Sequence, residues 1–186
     1  MKVVENSKAT LQCQHTDPYL YRQLNADDSS AYRAIRLESL KQYPQCFGSD
    51  YQQQHSLEKL YFEQKLEEAC DDVAMFGVLN DDRLVAICGV AFRSALVDDS
   101  AEIIQMYVQK DHQGRGLAKG LLAEIAQVCQ TKQISYLVLE VERANSPAYL
   151  TYLSAGFVGL SSAADNGTDP DNGETQPLLM KKPLAV

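Results

Sequence analysis

The stretch Tyr107–Gln130, "YVQKDHQGRGLAKGLLAEIAQVCQ", decides how the rest of the chain is read. It leaves an apolar, strand-like segment, crosses a polar turn with two closely spaced glycines and enters an amphipathic pattern. Leu117, Leu121, Ile125, Val128 and Cys129 share one face of the predicted helix. Glycines at the mouth of a helix let the backbone approach a ligand closely, and the free N–H groups of a helix N-terminus favour an anion. The segment is therefore an anion-binding candidate whose ligand must be found from its spacing.

Three phosphate-binding patterns compete for Gln113–Gly120. A Walker A loop needs a hydroxyl residue directly after its lysine, but Gly120 follows Lys119. A dinucleotide fingerprint accepts Gly114 and Gly116, yet Lys119 stands where its third glycine belongs, and the segment comes late in the chain for a first βαβ unit. The third pattern, Q/R-x-x-G-x-G/A, is met by Gln113, Gly116 and Ala118, with the strand "AEIIQMYV" before it and a helix after it.

Working outward, "YLYRQL" (19–24) alternates as a first strand, and "SAYRAIRLESLKQYP" has helical spacing ended by Pro44. "SLEKLYFEQKLEEAC" predicts one further helix, with Ser56 as its cap and Leu57, Leu60, Tyr61 and Leu66 as its apolar side. From Val73 the period changes to that of strands: "VAMFGVLN" and "RLVAICGVAFR" form a hairpin across an Asn-Asp-Asp turn. "AEIIQMYVQ" and "YLVLEVE" are further strands. "NSPAYLTYLSAGF" is a short helix capped by Ser146, with Pro147 at its first position and Gly156 as its stop. "FVGL" and "QPLLMKKPL" close the chain as strands. The order predicts a single-domain mixed α/β sheet over residues 16–186, preceded by an extension over 1–15 and interrupted by a polar, mobile surface loop over about 161–175.

Bulk properties narrow the function. The chain has 186 residues, 45% hydrophobic and 23% charged, a soluble globular composition. Its net charge of −8 argues against a nucleic-acid binder that relies on basic patches, and is compatible with a cationic acceptor. No apolar run approaches the roughly 20 residues of a membrane helix, and the N-terminus lacks a signal core, so a cytoplasmic protein without membrane contact is expected. Five scattered cysteines without a CxxC, and three dispersed histidines, predict neither a disulfide framework nor a metal site.

The Gln113–Ala118 turn, together with Asn145, Tyr152, Gly156 and Phe157 in "ERANSPAYLTYLSAGF", resembles the GNAT superfamily of N-acetyltransferases. The region "AYRAIRLESLKQYPQCFGSDY" resembles that family's first helix, so the likeness runs from about Tyr19 to Leu184. It implies a GNAT-type, mainly antiparallel mixed sheet flanked by helices. It also implies acetyl-coenzyme A as the acyl donor, with no metal, and direct transfer to an amine of a small molecule or peptide.

By the same resemblance, Gln113, Gly114, Arg115, Gly116, Leu117, Ala118 and Lys119 hold the pyrophosphate. The splayed strand Ile103–Val108 presents the backbone of Met106 and Val108 to the pantetheine arm, and Asn145 orients that arm. Tyr152 is the implied general acid, a phenol protonated at neutral pH. Glu102 is the candidate base, with Gln105 and Glu140 on strands near the cleft. Arg33 and Arg36 are candidates for an acceptor carboxylate. Dimerisation is common in the family, so the resemblance also implies a homodimer, with the final strands as a candidate interface. Two alternatives stay open: a non-catalytic acyl-CoA-binding module, and an enzyme using a longer acyl donor.

Overall fold

The computed structural model describes residues 18–68, 70–141, 146–160 and 177–185. The expected N-terminal extension and the loop over about 161–175 lie outside the described residues, as does Asn145.

Strands β1 (Tyr19–Gln23), β2 (Val73–Asn80), β3 (Arg83–Ala91), β4 (Ser100–Val108), β5 (Tyr136–Val141), β6 (Val158–Gly159) and β7 (Leu178–Pro183) make one sheet in the order β1-β2-β3-β4-β5-β7-β6. Among the described residues only β4 and β5 pair in parallel, and the other pairs are antiparallel. This is the mixed, mainly antiparallel sheet that the sequence predicts. The β2–β3 hairpin turns at Asp81 and Asp82, both with positive φ, a conformation that suits the right-handed twist of the paired strands.

Helices α1 (Ser29–Gln42), α2 (Tyr51–Ser56) and α3 (Tyr61–Glu68) precede the hairpin, while α4 (Leu117–Thr131) and α5 (Ser146–Ser154) follow β4 and β5. Two apolar layers result. Leu117, Leu121, Leu122, Ile125 and Cys129 of α4 pack on one sheet face with Val78, Cys88 and Ile103. Tyr32 and Ile35 of α1 and Phe62 of α3 pack on the other with Met75, Ile87 and Tyr107. The expected helical face of α4 is thus buried except at Val128, which is only partly covered. Among the described residues no helix is long and apolar enough to cross a membrane.

The single helix expected from Ser56 onward is two helices. Asp50 caps α2 by accepting the Gln53 N–H at 2.9 Å, so Ser56 ends a helix instead of starting one. Leu57 and Tyr61 are exposed, whereas Leu60 and Phe62 are buried. The break is held from α1: Arg33 donates to the Leu57 carbonyl at 2.7 Å and to Glu63 at 2.6 Å, while Glu63 also accepts the Leu60 N–H at 2.5 Å. These bonds satisfy backbone groups that a continuous helix would have paired internally. Glu63→Ala leaves the half-buried Arg33 guanidinium without its carboxylate and the Leu60 N–H without its acceptor. It should destabilise the fold by about 2–4 kcal/mol, read as a lowered urea midpoint, and Glu63→Gln should recover part of the loss by restoring an acceptor oxygen.

Candidate functional site

The sheet opens where β4 leaves β5. The two strands pair only at Ser100–Tyr136, Ala101–Leu137 and Glu102–Val138. Beyond Glu102, β4 keeps its partner β3 but not β5. The bend lies at a bulge: the register with β3 passes from Gly89–Ile104 to Ile87–Tyr107, so one residue of β3 faces two of β4. Gln105 sits in this bulge at φ 53, a left-handed conformation uncommon for a non-glycine residue. Tyr32 of α1 donates to the Gln105 Oε1 at 2.8 Å, which anchors the bulged side chain to the helix layer. The second half of β4 therefore presents backbone polar groups to the opening instead of to a neighbouring strand.

The turn that follows closes one end of that opening. Gly114 (φ 73) and Gly116 (φ 79) both take left-handed backbone conformations, and Gly116 is the N-cap of α4. Nothing lies within 4 Å of a Cβ built on either glycine, so the turn is an open cradle and not a packed one. Alternating backbone conformations of this kind converge successive N–H groups into an anion-binding concavity, and the first turn of α4 adds N–H groups without intrahelical acceptors. The Gln113 side chain donates to the Val108 carbonyl at 3.0 Å and ties the turn back to β4. Gly120, one turn into α4, lets the helix lie against β1: a Cβ there would meet the Tyr21 ring at 2.4 Å.

Turn and opening together border a cavity of about 820 Å³. Met106, Tyr107 and Val108 of β4 form its floor, with Gln113, Gly114, Gly116, Leu117, Ala118 and Lys119 at one end. Pro147, Ala148, Thr151, Tyr152 and Ser154 of α5 make one wall; Tyr43, Gln45, Cys46 and Phe47, after α1, make the other. Tyr152 is buried, its ring packed edge-on to Phe157 at 5.9 Å. Burial, and secondly the neighbouring Cys88, hold its phenol well above the ordinary range, so it stays protonated at neutral pH. Gly156 (φ 90) ends α5, and the Phe157 N–H returns to the Tyr152 carbonyl at 3.0 Å, fixing the turn that carries the tyrosine.

Nine of the twelve residues expected at the site line this cavity: Met106, Val108, Gln113, Gly114, Gly116, Leu117, Ala118, Lys119 and Tyr152. Arg115 does not: its guanidinium turns back to the Asp111 carbonyl at 3.5 Å. Glu102 does not either. It occupies the last β4 position still paired with β5, and its carboxylate accepts from the Ser94 hydroxyl at 3.1 Å. The carboxylate expected as base therefore sits where the sheet is closed. Glu140 is exposed on β5 opposite Leu179, and it does not border the cavity. Arg33 is committed to the α2–α3 connection. Arg36 is buried with its guanidinium 4.7 Å over the Phe47 ring, and burial lowers its pKa; Nε and Nη1 have no partner among the described residues.

The aromatic wall of Tyr43 and Phe47 lies on the segment after α1 that the resemblance places beside the acceptor; hydrophobic spacing alone carries no signal there, because the segment is aperiodic. His112 also borders the cavity, in contact with Tyr19 through its Nδ1 at 3.0 Å. Among the described residues no group of three or more His, Cys, Asp or Glu side chains is arranged to hold a metal ion.

Known proteins share this fold. The structure of a paiA N-acetyltransferase from Thermoplasma acidophilum, solved in complex with coenzyme A, aligns with a TM-score of 0.68 at 19% identity, over 89% of this chain and 98% of that one. The structure of yncA from Salmonella typhimurium with its cofactor acetyl-CoA aligns with a TM-score of 0.68 at 17% identity, over 90% and 95% of the two chains. At such identities the likeness shows a common fold. In sequence, the chain is 28% identical over 106 residues to a [ribosomal protein bS18]-alanine N-acetyltransferase of Salmonella typhimurium strain LT2, covering 57% of this chain and 68% of that protein. The sequence model of the acetyltransferase (GNAT) family matches residues 33–157, from the first helix through the splayed strand and glycine turn to the end of the Tyr152 helix. With most of the chain matched and the cradle and cleft in place, this protein belongs to the acetyltransferase (GNAT) family.

Proposed function

We propose that the chain is an acetyl-CoA-dependent N-acetyltransferase that delivers its acetyl group to the amine of a peptide or small molecule. The observation that carries this reading is the junction of the β4–β5 opening with the Gly114–Gly116 cradle in one cavity. The cradle suits a pyrophosphate: the glycine turn is open, the α4 N-terminus is positive and Lys119 borders the same cavity. The pantetheine arm would run along Met106 and Val108, whose strand edge is unpaired on that side. Acetyl-CoA supplies a thioester; the amine nitrogen forms the new C–N bond as the C–S bond breaks. Tyr152 would then give its proton to the departing thiolate, the N–H proton that the nitrogen sheds on becoming an amide would restore the phenol, and the cavity supplies proximity. Asn145 and Arg115 remain candidates for outer contacts with the donor.

The relative named for the alanine of ribosomal protein bS18 makes a peptide α-amine the first acceptor to test. The test is isothermal titration with acetyl-CoA, CoA and ATP, followed by acetyl-CoA turnover against a panel of peptide α-amines, polyamines and amino acids. Micromolar binding selective for the CoA species, with turnover of at least one amine, is the expected result. Binding without turnover of any amine would favour a non-catalytic acyl-CoA module. No CoA binding by the folded protein would overturn the reading.

A further inference from the structure

An amine acceptor arrives largely as an ammonium ion and must lose a proton before its nitrogen can attack. The carboxylate expected for that task, Glu102, does not border the cavity, so the proton needs another way out.

Tyr107 borders the cavity one residue beyond Met106, and it is 5% exposed. Its side chain belongs to the apolar layer under α1, on the opposite sheet face from the one covered by α4. The Tyr107 hydroxyl donates to Glu38 Oε1 at 2.7 Å and approaches Gln42 Oε1 at 3.2 Å. Glu38 and Gln42 are one turn apart on α1, so one helix face supplies both. The other carboxylate oxygen of Glu38 accepts the Gln109 amide at 2.8 Å, which fixes the carboxylate in the plane where the phenol meets it.

Glu38 also borders a second cleft, of about 480 Å³, together with Asp81, Arg83, Lys110, Asp111 and His112. Asp81, Arg83, Lys110 and Asp111 are exposed, so this cleft is in contact with water. Tyr107 thus borders the reaction cavity and Glu38 the second cleft, and one hydrogen bond joins the two residues. Burial, followed by the hydrogen bond to Glu38, raises the Tyr107 pKa. A phenol this resistant to ionisation does not serve as a standing base, but it can pass a proton while receiving another.

We propose that Tyr107 relays the acceptor's proton out of the cavity to Glu38, which releases it into the second cleft. In this step an N–H bond of the ammonium breaks and its proton joins the Tyr107 oxygen, while the proton of Tyr107 moves to Glu38 Oε1. Glu38 then returns that proton to water, leaving a neutral amine and both side chains as they began. The inference rests on the acetyltransferase reading above and adds to it a route for the proton.

Glu38→Gln and Tyr107→Phe both keep the side-chain shape and remove the proton route. Initial rates would be measured from pH 6 to 9 with acetyl-CoA and two probe nucleophiles. One is the best-turned-over alkyl amine of the panel; the other is hydroxylamine, which is already unprotonated at neutral pH. For the alkyl amine, both variants should lower kcat/KM at neutral pH by about 100-fold, and the loss should shrink as pH rises and solvent deprotonates the amine. With hydroxylamine the loss should be at least tenfold smaller, and the acetyl-CoA dissociation constant should be that of the wild type.

The pH axis also carries Arg83, Lys110, His112, Asp81 and Asp111 around Glu38, and Tyr43, whose ring lies 6.1 Å from that of Tyr107. The comparison is therefore always variant against wild type at the same pH. An equal loss for both nucleophiles at every pH, or a variant indistinguishable from wild type, would overturn the relay. A destabilised Tyr107→Phe would show as a lowered Tm and weaker acetyl-CoA binding, and Glu38→Gln would then decide. Failure of the wild type to turn over any nucleophile would count against the acetyltransferase reading itself.

Discussion

Gly116→Glu should weaken acetyl-CoA and CoA binding by on the order of 100-fold or more. Two effects act together. Gly116 sits at φ 79, where a residue with a Cβ pays about 1–2 kcal/mol of backbone strain. The new carboxylate would also stand at the N-cap of α4, in the concavity where two phosphates are proposed to lie. The variant should still fold, because an added Cβ meets nothing within 4 Å. Gly116→Ala separates the two effects: it keeps the strain without the charge, so it should cost stability and only a few-fold in affinity. Calorimetric titration of both variants with CoA checks the expectation. Unchanged affinity in a folded Gly116→Glu would show that the phosphates bind elsewhere.

Tyr152→Phe should lower kcat by about 100-fold while leaving acetyl-CoA affinity nearly intact. The ring of Tyr152 packs on Phe157, and phenylalanine preserves that packing, so the hydroxyl alone is tested. Burial, with Cys88 as the second cause, raises the phenol above its ordinary value near 10. The proton is therefore held across the neutral and mildly alkaline range, and the wild-type rate should show no loss of this acid until the pH exceeds about 10.

The same shift has a consequence for stability. The native phenol keeps a proton that the unfolded chain gives up as the pH rises through about 10. The unfolded state then binds fewer protons, so stability is fully present below that pH and falls above it. Tyr32 and Tyr107, also raised by burial, act in the same direction. Steady-state rates with wild type and variant on one amine test the catalytic half; an unchanged kcat would remove Tyr152 from the mechanism.

The donor end of the site was legible because its information is local. Left-handed backbone at two alternate positions calls for Gly114 and Gly116, and the amphipathic run after them declares the helix whose N-terminus they expose. Tyr152 was singled out through the resemblance carried by Asn145, Tyr152, Gly156 and Phe157, of which the last two form the turn that holds it. The position of Glu102 outside the cavity was not legible because strand alternation reports a face but not the point along β4 at which β5 departs. That point is set by the bulge at Gln105 and by the tie to Tyr32, 73 residues away. Where Arg115 points was not legible for a smaller reason: charge next to a phosphate cradle does not fix the rotamer, and the Asp111 carbonyl competes for it.

The sequence by itself determined the order of the elements, the mixed sheet, the glycine turn and the tyrosine that follows it. These follow from short-range causes: period 2 against period 3.6, caps, and the backbone freedom of glycine. Only the tertiary structure decided that the second helical region breaks at Leu57–Leu60, that Glu102 is held outside the cavity and that Tyr107 meets Glu38. Each depends on partners far apart in the chain, 24 residues for Arg33 and Leu57 and 69 for Glu38 and Tyr107. Such pairs form only when α1 is laid against the sheet, and no local propensity encodes which polar groups that packing leaves facing one another.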